Sequence, residues 1–261
     1  MRAGGRTTRR TSRRAVLGGA AGGLALTAAG CDPFRSPTSP ASTTAGDDVH
    51  GPIDFPEGPL DPATLLPYGS RYRTEDGEVR TLERVEGPVL DARGTVALAD
   101  PGFIRYEEVV PLASFTGPVR SELGLLSFPA RTVDAGTVPA SRRGATVAFG
   151  EVAAVDRWEA ARGATGDWLG VGVDAATGAL YDVSAKPALD RWEQAQWVPL
   201  FEEVIRSGFA EVRLDGRTVA VMFDCGVGDG WYPAYLGRDR SGAVSAVALD
   251  LELRHRLTRL P

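Results

Sequence analysis

The sequence predicts an α+β domain: a mostly antiparallel β-sheet with one main covering helix over about 187–206, after an N-terminal signal and a disordered linker. Three observations carry this. From about residue 78 onward, short apolar runs alternate with Gly, Asp and Pro turns. One stretch alone repeats its apolar residues at helical spacing. The 261 residues are 43% hydrophobic and 24% charged, which is enough apolar material for one sizeable domain.

The first thirty residues read as an address. Arg2, Arg6, Arg9, Arg10, Arg13 and Arg14 precede the run Ala15 to Leu26, which is rich in Gly and Ala. Positive charge followed by a short apolar run is the plan of an export signal. The run is too short and too weakly apolar for a transmembrane anchor, which needs about 20 apolar residues. Thr11-Ser12-Arg13-Arg14-Ala15-Val16-Leu17 resembles a twin-arginine export signal, with the general secretory route as the alternative. Thr27-Ala28-Ala29-Gly30-Cys31 resembles a bacterial lipobox, although Ala28 stands where that pattern prefers Leu. The resemblance implies cleavage after Gly30 and thioether attachment of a diacylglyceryl group to Cys31. Two or more acyl chains hold a protein durably on a membrane. The alternative is ordinary cleavage and secretion, with Cys31 an incidental thiol.

Residues 31–67 read as a linker. Eight prolines from Pro33 to Pro67 are interspersed with Ser, Thr and Asp. Such a composition buries too little apolar surface to offset ordering entropy, so at least 32–50 is expected to be disordered. A flexible chain of that size reaches on the order of 30 Å.

A single β-rich domain is expected over 78–258. Strands are predicted at Gly94–Ala99, Ala145–Ala153, Leu169–Val173 and Leu180–Val183. Arg217–Phe223 is apolar on both faces from Val219 on, as a central strand would be. The last strand alternates, with Val247, Leu249, Leu251 and Leu253 expected inward and Ala248, Asp250 and Glu252 outward. Leu189, Trp192, Gln196, Leu200, Phe201, Val204 and Ile205 form the helical stripe, and Gly208 follows as a stop.

The segment Gly228-Asp229-Gly230-Trp231-Tyr232-Pro233-Ala234-Tyr235-Leu236-Gly237-Arg238-Asp239 is similar to the signature of a bacterial family, domain of unknown function 4241. That signature runs Gly-Asp-Gly, two tyrosines three residues apart, Gly and Asp, and its closing strand ends in Asp-Phe. Ala99-Asp100-Pro101, Arg157-Trp158-Glu159-Ala160-Ala161, and Gly172 to Gly178 with Tyr181-Asp182 also resemble it, over about 85–252. Leu236 departs from a usual aromatic, Leu251 from the closing Phe, and Ala176 from a frequent Gly. The resemblance implies a shared fold and transfers no activity.

The chemistry that composition permits is narrow. There are 29 Lys and Arg residues, of which only Lys186 is a lysine, against 34 Asp and Glu, for a net charge of −5. Without residues 1–30 the balance is 23 basic against 34 acidic, or −11, which repels phosphate backbones and argues against nucleic acid. His50 lies in the linker and His255 in the basic tail Arg254 to Arg259, so Ser-His-Asp and His-rich metal sites are not expected. Cys225 ends an apolar strand and reads as a buried inert thiol rather than a nucleophile. The loop Gly226-Val227-Gly228-Asp229-Gly230 is followed by Trp231-Tyr232-Pro233 instead of the helix a dinucleotide loop requires.

Two readings of that loop remain. In one it is a sharp strand connection, with Asp229 bonding turn amides and Asp239 to Gly242 forming the next hairpin turn. In the other, Asp229, Trp231, Tyr232, Tyr235, Arg238 and Asp239 form a binding surface for a glycan, peptide or protein. Asp229 and Asp239 could serve as an acid–base pair in a cell-envelope hydrolase, if about 5–9 Å apart, or hold calcium, although the Asp-x-Asp-x-Asp-Gly loop pattern is absent. The leading expectation is a lipid-anchored extracytoplasmic protein whose domain binds an unknown protein or envelope ligand. No catalytic residue, metal or cofactor is assigned. The hydrolase and a purely structural envelope lipoprotein are the alternatives.

Overall fold

The computed structural model describes residues 59–261, apart from 75–76, 134–135, 139, 175, 227 and 252–256. Arg13, Arg14, Cys31, His50 and His255 therefore lie outside the described residues, as does the alternation expected at Glu252 and Leu253.

The described residues are mostly strand. Helix α1 (Pro62–Leu65) opens it, then β1 (Arg71–Arg73), β2 (Val79–Glu86), β3 (Leu90–Ala99), β4 (Pro111–Val119) and β5 (Ser121–Phe128). A small hairpin follows, β6 (Arg131–Val133) with β7 (Gly136–Val138), then β8 (Ser141–Gly150) and β9 (Arg157–Ala160). Next come β10 (Gly170–Val173), β11 (Thr177–Asp182) and helices α2 (Lys186–Leu189) and α3 (Gln194–Ser207). The chain closes with β12 (Phe209–Leu214), β13 (Arg217–Asp224), β14 (Gly230–Arg238), β15 (Val244–Asp250) and β16 (Thr258–Arg259).

Two antiparallel sheets stack. One has the order β10-β14-β15-β8-β5-β2-β1-β16, with β9 also on β14; the other is β12-β13-β11-β3-β4. Period-two alternation makes the layers legible. Val147, Phe149, Val221, Phe223 and Leu249 meet between the sheets. The intervening Ala220 and Met222 face the opposite way, onto Trp197 and Val204 of α3. The central strand expected at Arg217–Phe223 is therefore covered on both faces. The last strand is covered on both faces too: Ala248 and Asp250 are buried along with Val247 and Leu249. The expectation that Ala248 and Asp250 face outward is corrected by a layer the strand's own pattern does not announce.

That layer comes from the N-terminal side. Residues 60–67, given to the linker by composition, pack on the outer face of the larger sheet. Leu60 exchanges two backbone bonds with Trp158, at 2.8 and 3.0 Å. Asp61 caps α1 by accepting from the Ala63 N–H at 2.8 Å. Leu65 and Leu66 bury against Trp158, Tyr235, Ala246 and Ala248. Proline here rigidifies a docked segment rather than keeping it solvated.

The single helix expected over 187–206 is divided. The chain leaves helix after Leu189 and re-enters at Gln194, where Glu193 and Gln196 form a reciprocal capping box. Gly208 ends α3 at φ 88°, as its position predicts. Trp197 and Val204 carry the buried stripe, while Ile205 is 82% exposed.

Candidate functional site

The signature segment is mostly fold-building. Tyr232 and Tyr235 sit on opposite faces of β14 and are buried, one between the sheets and the other beneath α1. The Tyr232 hydroxyl donates to the Gly228 carbonyl at 2.8 Å, which closes the preceding loop. Gly237 leaves room for Trp158, whose ring atoms would stand 2.8 Å from a Cβ placed there. Arg238 pairs with Glu159 and donates to the Gly242 carbonyl. Those bonds, with Arg157, hold the Glu159 carboxyl below its usual range. Asp239 caps the hairpin turn, accepting from Ser241 N–H and hydroxyl and from Ala243 N–H. The Ser241 hydroxyl in particular keeps its carboxyl low.

Of the six residues expected to form one surface, Asp229 and Trp231 stay exposed together at one end of β14. Asp239 is at the other end. Nine strand residues separate the two carboxylates, roughly 30 Å at about 3.3 Å per residue. A hydrolytic pair needs about 5–9 Å, and a shared calcium ion less, so neither reading of Asp229 with Asp239 stands. The glycine loop runs straight into β14, with no helix N-terminus to receive a phosphate.

What the fold does assemble is a different set of motif residues. Asp100, after β3, and Asp174, after β10, meet Asp229. Asp100 is 1% exposed and accepts the Gly102 N–H through Oδ1 and the Asp174 N–H through Oδ2, both at 2.7 Å. It thus ties a strand of one sheet to a strand of the other. Burial, opposed by those two bonds and reinforced by the charges of Asp174 and Asp229, pushes its carboxyl up to about 6. Desolvation and then the Asp174 charge raise Asp229, against the donated Ala176 N–H. Ala176, at φ 51°, takes a left-handed conformation that glycine adopts more readily.

Beside this acidic end lies a cleft of about 310 Å³. Leu98, Val110, Leu112, Leu169 and Val171 make its walls apolar, and Glu107 and Glu108 stand in them. Desolvation and the neighbouring Asp100 raise Glu107, while Lys186 opposes them. The indole of Trp231 rests over Gly170, where any Cβ would fall 2.6 Å from the ring. Glu107, Glu108 and the cleft escaped the sequence reading. The available signal was Glu107-Glu108-Val109-Val110, adjacent acids and apolar residues just before a strand.

Elsewhere, carboxylates serve as struts. Asp224 accepts from Gly144 and Gly226, joining β13 to β8, and Asp182 accepts from Arg93, Ser184 and Arg217. Burial raises Asp224; at Asp182 burial is outweighed by the donated bonds, and its carboxyl is lowered. Cys225 is fully buried near the Phe223 carbonyl, in keeping with an inert thiol. Among the described residues no helix is long and apolar enough to cross a membrane.

No curated protein and no solved structure matches the chain. Residues 144–249, from β8 into β15, match the model of the family described as protein of unknown function (DUF4241).

Proposed function

We propose that this is a lipid-anchored extracytoplasmic protein whose β domain binds a partner or envelope component and performs no chemistry of its own. The observation that carries the anchor is the order of basic run, apolar run and Thr27-Ala28-Ala29-Gly30-Cys31. The separation of Asp229 from Asp239 supports binding over hydrolysis, because it removes the one acid–base pair the sequence offered. The exposed end of β14 supports it further: Asp229 and Trp231 stand beside an apolar cleft with acidic walls, a mixture suited to recognition.

Export places the domain outside the cytosol, by the twin-arginine route through Arg13 and Arg14. The family match over residues 144–249 adds fold relatedness and no activity.

The test is fractionation of cells expressing the chain and its Cys31→Ser variant. The unmodified chain sediments with membranes and is released by detergent but not by high salt. The Cys31→Ser form is soluble or secreted. If that form still sediments and still needs detergent for release, the anchor is elsewhere and the reading fails.

A further inference from the structure

The cleft beside β10 has the construction of a strand-docking groove. β10 ends the larger sheet, and its described strand partner is β14 on one side. The Ala234 N–H donates to the Leu169 carbonyl, and Val171 faces Tyr232, two residues on in the same register. Antiparallel alternation then turns the N–H and C=O groups of Gly170 and Gly172 away from β14, toward the open edge. Gly172 is exposed, and a Cβ there would meet nothing within 4 Å, so nothing crowds the sheet face beside this edge. Such an edge is a template for an added strand, and proteins that leave one open commonly use it for recognition.

The cleft along this edge indicates what the added strand carries. Its volume of about 310 Å³ suits one or two side chains. Leu98, Leu112 and Leu169 would take an apolar side chain, while Glu107 and Glu108 would face a charged one. No Lys or Arg is among the lining residues. The nearby Lys186 is committed, its Nζ donating to the Ile104 carbonyl and to Asp190. Asp174 and Asp229 extend the negative field past the end of β10. An anionic peptide is repelled here, and a cationic one is drawn in.

We propose that the open edge of β10 and its acidic cleft bind an extended peptide segment in which Arg or Lys alternates with apolar residues. The segment adds as an antiparallel or parallel strand through Gly170 and Gly172. It places apolar side chains against Leu98 and Leu112 and basic ones against Glu107 and Glu108. This rests on the reading of the domain as a binding module and names its partner's chemistry.

The experiment titrates the full chain in detergent with a fluorescent, end-capped Val-Arg-Val-Arg-Val-Arg peptide. The controls are the same peptide N-methylated on alternate residues, a Val-Glu-Val-Glu-Val-Glu peptide, and agmatine as a free cation. Saturable binding of the basic peptide is expected, weakened at least tenfold by N-methylation and at least tenfold in the Glu107→Gln/Glu108→Gln double variant. Both positions are exposed, so the variant should keep the wild-type circular dichroism spectrum. Strand addition is overturned if the N-methylated peptide binds equally well or if agmatine competes at the same concentration as the peptide. Charge selection is overturned if the acidic peptide binds as tightly. Absence of binding up to 1 mM basic peptide overturns the whole inference. It leaves the binding-module reading standing only if Trp231→Ala, in a pull-down from membranes, still releases a partner that the wild type retains.

Discussion

Charging Asp100 should weaken the fold by an amount the structure allows us to work out. Its carboxyl lies 1% exposed between two sheets, and burial pushes its pKa from 3.8 to about 6. Between those values the folded chain holds a proton that the unfolded chain has released. Stability at this group therefore falls as pH rises through that window and is flat above and below it. About two pK units at about 1.4 kcal/mol each set an upper limit of about 3 kcal/mol. Asp100→Asn cannot titrate and keeps only one acceptor for the two N–H groups of Gly102 and Asp174. It carries a steady penalty from the lost bond, with no pH dependence of its own. The assay is urea unfolding of wild type and variant at pH 4, 5, 6 and 7, where other titrating groups largely cancel in the difference. The wild type's advantage should shrink by about 2–3 kcal/mol from pH 4 to pH 7. A difference that stays constant, or grows with pH, would refute the placement of this carboxylate.

Three further predictions follow from packing and backbone geometry. Gly144→Ala puts a Cβ 2.2 Å from the Asp224 carbonyl oxygen, in the strut joining β8 to β13, and should destabilise by about 2 kcal/mol or more, read as an equilibrium unfolding midpoint. Ala176→Gly relieves a left-handed conformation at φ 51°. After the entropy glycine adds to the unfolded chain, stability should rise by up to about 1 kcal/mol, or roughly 2–4 °C in melting temperature. Leu65→Ala, at a fully buried position, should lose about 2–5 kcal/mol and expose the 60–67 segment to protease; a surface-like loss under 0.5 kcal/mol would show that this segment is not part of the core.

What could be read from the sequence was local. Turn residues and period-two patterns located β3, β8, β10, β11 and β13 to within a few residues, because a strand's edges are marked by its own Gly, Asp and Pro. Gly208 announced the end of α3 for the same reason. What could not be read depends on residues far apart in the chain. Asp250 looks like a solvent-facing residue within β15, yet it is 1% exposed, on the face that Ala246 and Ala248 turn toward Leu65 and Leu66. Tyr232 and Tyr235 look like a recognition patch when adjacent in a list, yet three residues of strand send them to opposite faces. The helix was overextended because Leu189 and Trp192 share the stripe's spacing, while the capping box at Glu193 was overlooked. The acidic end of β10 requires two sheets to bring Asp100, Asp174 and Asp229 together across 130 positions, which no window of sequence contains.

The most direct test of the account is mass analysis of the N-terminal peptide from the membrane-bound protein. It predicts a chain beginning at Cys31, with residues 1–30 removed and a diacylglyceryl thioether on the sulfur. A membrane-bound chain that retains Arg13 and Arg14, or that carries Cys31 as an unmodified thiol, would contradict it.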